Sequence, residues 1–103
     1  MEKRRPTYDL VAFKAAFSNP DKINVTVAAL QGAAALGMWR EQIVMVIQSM
    51  TRSQFHKSMT SYVDHKIWQD VYFVPWEGET IYVKFTADVV TEFRLLSFKV
   101  KES

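Results

Sequence analysis

Residues 55–72 read FHKSMTSYVDHKIWQDVY. Two runs of strand formers, 55–62 and 67–74, flank a polar turn at Asp64-His65, so the stretch predicts a β-hairpin. Lys57, Ser58, Thr60, His65, Gln69 and two tyrosines lie within it. Polar side chains at strand-like alternation predict a solvated face, and such a face can bind an anion.

C-terminal to the hairpin, residues 75–79 with Gly78 predict a second turn. Ile81, Val83, Phe85 and Ala87 then alternate with Tyr82, Lys84, Thr86 and Asp88, the clearest period-two pattern in the chain. Residues 93–100 predict a last strand, with Leu96, Phe98 and Val100 opposing Ser97, Lys99 and Lys101. The N-terminal half reads as helices. Thr7 is the expected cap of a first helix carrying Leu10, Phe13 and Phe17, which Asn19-Pro20 stops. A short edge strand is expected over residues 23–25. Thr26 should cap a small-residue helix through Leu36, with Gly37 at its end. Trp39, Ile43, Val46, Ile47 and Met50 form the apolar stripe of a third helix. Helices first and an antiparallel meander second imply an α+β fold, with the N-terminal helices packed on one face of a C-terminal antiparallel sheet.

The 103 residues suffice for one small domain, expected to span 1–103. About half the chain is apolar (49 %), enough for a packed core and too much for wholesale disorder. The absence of cysteine excludes a disulfide framework and a thiolate metal site, and it fits a reducing cytoplasm. No secretory signal is read at the N-terminus, because Pro6 and an amphipathic segment follow the charged start. The apolar run 25–39 is too short to span a bilayer, so no membrane partner is expected. A net charge of +2 points only weakly to nucleic acid. The C-terminal half is neutral, so a phosphate site there must come from local placement of Arg52, Lys57, Lys84, Arg94, Lys99 and Lys101.

Two histidines without a metal-binding spacing support neither metal catalysis nor a cofactor. Nucleotide-binding glycine motifs and a nucleophile elbow are absent as well. Cleavage of RNA without a metal needs less, because the substrate supplies its own nucleophile, the ribose 2′-hydroxyl. The protein must orient that hydroxyl, accept its proton, stabilise the crowded phosphate and protonate the leaving oxygen. Lys57, Gln69 and Tyr82, on three successive predicted strands, are residues of those types.

Phe55-x-Lys57-Ser58-Met59, Ile67-Trp68-Gln69-Asp70-Val71-Tyr72 and Tyr82-Val83-Lys84 closely resemble motifs of the motility quorum-sensing regulator (MqsR) toxins, messenger-RNA-cutting members of toxin–antitoxin pairs. Ser97-Phe98-Lys99 and the opening Met-Glu-Lys-Arg with Pro6 match too. The resemblance implies a RelE-like ribonuclease toxin fold and an mRNA interferase that cuts messenger RNA at short GCU-type sites. It implies Lys57, Gln69 and Tyr82 as catalytic residues, with His56, Met59, Lys84 and Lys99 lining the substrate. It also implies a cognate antitoxin, a zinc-containing, DNA-binding protein through which alone this chain would reach DNA. Two departures stand out. Position 56 is His where the family pattern has Tyr, and the stretch 87–94 is longer than the family's.

Plainer readings accompany these. A lysine on a strand is usually solvated, a glutamine often satisfies backbone, and Tyr82 could be an ordinary cross-strand aromatic. Trp68, Tyr72 and Trp76 read as packing, and residues 3–5 as a solvated terminus. An acid–base pair of His56 and His65 is disfavoured, because strand geometry puts them roughly 20 Å apart. Lys57 and Gln69 share a sheet face only if opposed residue numbers in the hairpin sum to an even number, which requires a loop of odd length or a bulge. The odd loop is the expectation. A non-catalytic nucleic-acid-binding regulator on the same face is the alternative function, and a small protein-interaction module is a third.

Overall fold

The computed structural model describes residues 1–88 and 92–102. Its described strands form one antiparallel sheet in the order β1 (Glu2–Lys3), β2 (Phe55–Thr60), β3 (Trp68–Trp76), β4 (Glu79–Ala87) and β5 (Phe93–Val100). The helices α1 (Leu10–Ala16), α2 (Val27–Ala35) and α3 (Arg40–Ser49) precede β2 in the chain and pack on one sheet face. This is the α+β arrangement the sequence implies.

Local chemistry accounts for the helix ends. Asp9, not Thr7, caps α1, its carboxylate accepting from the Val11 N–H at 3.0 Å. Thr7 is instead drawn to the sheet by Asp70. The first helix stops at Ala16, and Asn19 caps a separate 3-10 turn over Pro20–Lys22. Thr26 caps α2 through the Ala29 N–H, and Gly37 takes φ +72° just past the helix end. Trp39 falls outside the expected stripe. It is the N-cap residue of α3 and 54 % exposed, while Ile43, Val46, Ile47 and Met50 are buried. The edge strand expected over residues 23–25 reduces to one parallel bridge, Val25 to Leu95.

Phe13 is the main helix contribution to the core. Its ring stacks on Phe85 at 3.7 Å and meets Phe93 edge-on at 5.6 Å. Burial of one such ring contributes about 1.5–3 kcal/mol. Tyr72, Val74, Ile81, Val83, Leu95 and Phe98 complete the sheet side of this core. At the far edge α2 lies directly on β5. The Thr26 hydroxyl donates to the Leu96 carbonyl at 2.9 Å, and a Cβ on Gly32 would meet the Phe98 carbonyl oxygen at 2.1 Å.

Two expectations about the strands need correction. The second turn is only Glu77-Gly78, with φ +47° and +82°, because Pro75 and Trp76 still pair with Thr80 and Glu79. Two left-handed residues in succession match the twist of the flanking strands. In β5 a register shift makes Lys84 face Ser97 and Phe85 face Leu95, leaving Leu96 as an extra residue. Leu95 and Phe98 therefore share the buried face, and Leu96 does not. Strict alternation could not anticipate that.

Candidate active site

The hairpin register decides which side chains meet. Lys57 pairs with Val71 and Met59 with Gln69, so opposed numbers sum to 128, an even number. Ser61 and Ile67 continue the pairing through a 3.1 Å hydrogen bond and enclose a loop of five residues, 62–66. The odd loop places Lys57, Met59 and Gln69 on the face away from the helices. On the other side Ser58, Thr60 and Asp70 are buried. Ser58 and Thr60 thus leave the solvated face the sequence suggested. The Ser58 hydroxyl meets that of Thr7 at 2.7 Å, and Thr60 Oγ1 accepts from the Met1 amino group at 3.1 Å.

A β-bulge sits at the start of β2. Phe55 pairs with Tyr72 and Lys57 with Val71, leaving His56 as the extra residue. Phe55 packs edge-on against buried Tyr72 at 5.5 Å, while the His56 ring stacks on Phe73 at 4.2 Å. His56 and Lys57, neighbours in the chain, are consequently both aimed at the open face. Across the sheet Phe73 pairs with Tyr82 and Tyr82 with Lys99; one step along, Val71 pairs with Lys84 and Lys84 with Ser97. The face therefore carries His56, Phe73, Tyr82 and Lys99 in one row, Lys57, Val71, Lys84 and Ser97 in the next, and Met59 with Gln69 beyond.

From this register Lys57 is central. Its Cα lies roughly 8 Å from that of Gln69 and 12 Å from that of Tyr82, on opposite sides along the strands, whereas Gln69 and Tyr82 are roughly 14 Å apart. Long side chains from Lys57 and Tyr82 can converge on one anion between them, and Gln69 stands on the other side of Lys57. Lys84 stands level with Lys57 and Lys99 level with Tyr82, the Lys99 ammonium lying 5.4 Å from the Tyr82 ring centre. His65 lies in the hairpin loop past the far end of β2, while His56 stands at its start, a strand's length too far apart for an acid–base pair.

The electrostatics follow from burial and lysine crowding. Burial raises the Tyr82 pKa above the ordinary phenol value, against the opposing pull of Lys57, so the hydroxyl is a donor at neutral pH. Burial, then the Lys99 ammonium, lowers the Lys84 pKa. Burial, then Lys57 and Arg4, lowers that of His56. Lys57 is 28 % exposed and paired with Glu2 at 2.5 Å, whose own pKa falls through that hydrogen bond and charge. Buried Tyr72 has no hydrogen-bond partner for its hydroxyl among the described residues, and burial pushes its pKa up to about 12.

Sequence reasoning gave no role to Glu2, Asp70 or Phe73, and read Lys3 as part of a solvated terminus. Glu2 and Lys3 form β1 against Met59 and Ser58, bringing Glu2 to Lys57 and the Lys3 ammonium 4.2 Å from the Trp68 ring centre. Arg4 and Arg5 remain exposed. Asp70, fully buried, accepts from the Thr7 and Tyr8 N–H groups at 2.9–3.1 Å and pins the N-terminal segment. Its place inside the IWQDVY motif was a signal, because a carboxylate amid strand formers needs a partner. Phe73 was readable as an apolar residue out of phase with the core face. A hollow of about 670 Å3 lies off this face between Pro6–Val11 and Met50–Arg52, and its lysine, Lys14, donates to the Met50 carbonyl. Among the described residues no cluster of three His, Cys, Asp or Glu side chains could hold a metal, and no helix is long and apolar enough to cross a membrane.

Lysines and a tyrosine on the open face of a helix-backed antiparallel sheet are groups that metal-free RNA cleavage can use. Residues 5–100 match the family model described as motility quorum-sensing regulator, toxin of MqsA. The chain is also 39 % identical over 101 residues to the mRNA interferase toxin MqsR of Escherichia coli (strain K12), covering 98 % of this chain and 100 % of that protein. The chain belongs to the MqsR toxin family.

Proposed function

We propose that the chain is a single-domain, metal-independent mRNA interferase that cuts messenger RNA at short GCU-type sites in the cytoplasm. It arrests growth until a cognate antitoxin, a zinc-containing, DNA-binding protein, neutralises it; DNA is reached only through that partner. The observation that carries the reading is the hairpin register, which puts Lys57 and Gln69 on the face that also bears Tyr82.

The ribose 2′-oxygen attacks the adjacent phosphorus and loses its proton to a base. The bond from phosphorus to the 5′-oxygen breaks, and that oxygen takes a proton. The products are a 2′,3′-cyclic phosphate and a 5′-hydroxyl. Lys57 stabilises the phosphate charge or transfers a proton. The phosphate replaces Glu2 as its counter-ion, an exchange made easy by the exposure of that ion pair. Tyr82, held protonated by burial, donates to a phosphate oxygen. Gln69 orients the neighbouring nucleotide, and His56, Met59, Lys84 and Lys99 line the path.

Inducible expression with mapping of RNA 5′ ends tests the assignment. Lys57→Ala is expected to abolish growth arrest and to remove the mapped cuts. Full toxicity in each of Lys57→Ala, Gln69→Ala and Tyr82→Phe would show that the catalytic residues lie elsewhere. Intact RNA bound by the wild-type protein would favour the non-catalytic regulator.

A further inference from the structure

Phe73 is a large apolar ring on the sheet face that does not build the core. It is half-buried, and aromatic and cationic side chains stand beside it. The His56 ring stacks on it at 4.2 Å with planes 22° apart. Tyr82 lies at 6.1 Å, and the Lys101 ammonium sits 5.1 Å from the ring centre. Phe73, Tyr82, Lys99 and Lys101 line a hollow of about 310 Å3 that opens to solvent. That volume is at the small end of ligand sites, roughly 300–1,000 Å3, and suits one planar base better than a dinucleotide.

We infer that this hollow is a stacking subsite for one nucleobase of single-stranded RNA, next to the phosphate held by Lys57 and Tyr82, with Phe73 as its platform. The inference rests on the ribonuclease reading and deepens it. Three observations converge. The bulge spends an extra residue to lay His56 against Phe73, which stiffens the ring without burying it. The Tyr82 side chain walls the hollow with its ring and carries the hydroxyl proposed above to meet the phosphate, so base and phosphate sites would lie one nucleotide apart. Two ammonium groups stand over the aromatic rings. A ring face that attracts a cation also accepts a stacked base, and the displaced lysine then meets the phosphate backbone. Stacking tolerates any base, so the subsite contributes affinity and register more than sequence choice.

The probe is the RNA decamer found to be cut in the expression experiment, remade with 2′-O-methyl ribose so that it binds without reacting. Fluorescence anisotropy measures its Kd. Phe73→Leu, which keeps apolar bulk and removes the π face, should weaken binding roughly 5- to 100-fold, and Phe73→Trp should retain it. In the wild-type protein, removing a single base beside the cut should cost a similar factor. In Phe73→Leu the same removal should cost nothing more. Wild-type affinity in Phe73→Leu, or an abasic scan flat on both sides of the cut, overturns the stacking subsite while leaving the ribonuclease reading intact. An absence of any mapped cut fells the ribonuclease reading first, and this inference with it.

Discussion

Asp70 and His56 show how little of a residue's role lies in its type. Asp70 stands one position after Gln69 in the same strand, yet it points to the opposite side and works as an anchor. Its carboxylate collects two backbone N–H groups from Thr7 and Tyr8 in a fully buried setting. Asp70→Ala should cost about 2–4 kcal/mol, since it leaves those donors unpaired. Urea denaturation checks this, and the variant should also release β1 and Glu2 from the site. His56 carries a pH signature. Its pKa lies below 6.5 because burial, then Lys57 and Arg4, disfavour the imidazolium, with Lys101 adding to them and Glu2 opposing. The unfolded chain therefore binds more protons just below pH 6.5. Stability rises with pH through that window and is lost as pH falls through the folded-state value. Urea midpoints at pH 5 and pH 7 should differ more for the wild type than for His56→Gln.

At the scale of elements, register and bulges assign faces. Alternation within 81–87 was legible and correct for Ile81, Val83 and Phe85, because a half-buried strand must repeat every two residues. The same rule failed for Leu96, where an unannounced extra residue reverses the phase, and it was silent on His56 for the same reason. Bulges leave no reliable mark in a single strand because they are set by what the partner strand presents. The strand β1 was likewise invisible: two residues have no period, and Glu2–Lys3 become a strand only by pairing with β2. The α2–β5 contact makes its own prediction. Gly32→Ala puts a Cβ 2.1 Å from the Phe98 carbonyl oxygen, so helix and strand must separate. The expected loss is about 1–3 kcal/mol, seen as a lowered urea midpoint. Because Lys99 follows Phe98 on β5, ribonuclease activity should fall as well.

For the whole molecule, charge placement matters more than charge total. A net charge of +2 says little, but Lys57, Lys84, Lys99 and Lys101 come from β2, β4 and the end of β5 to one side of the sheet. The sheet does by geometry what composition does not. RNA binding should accordingly be salt-dependent, with a slope of log K against log salt of about −3 if all four lysines meet phosphates of a single strand. A slope near zero would argue for an interaction module in place of an RNA site. Anisotropy titrations from low to moderate salt, on the uncleavable RNA, measure it.

The chain's own order of residues was enough for the α+β class, the Thr26-capped helix, the apolar stripe of the helix after it, and the hairpin. These depend on local periodicity, on caps a few residues long and on motifs contiguous in the chain. Placement of the working face was a tertiary matter. Whether Lys57 and Gln69 meet depends on the loop between Ser61 and Ile67. Whether His56 joins them depends on one bulge, and whether Phe73 is a platform depends on what β2, β4 and the C-terminal lysines bring beside it. Such contacts join residues far apart in the chain, and no local propensity encodes the register at which two strands pair.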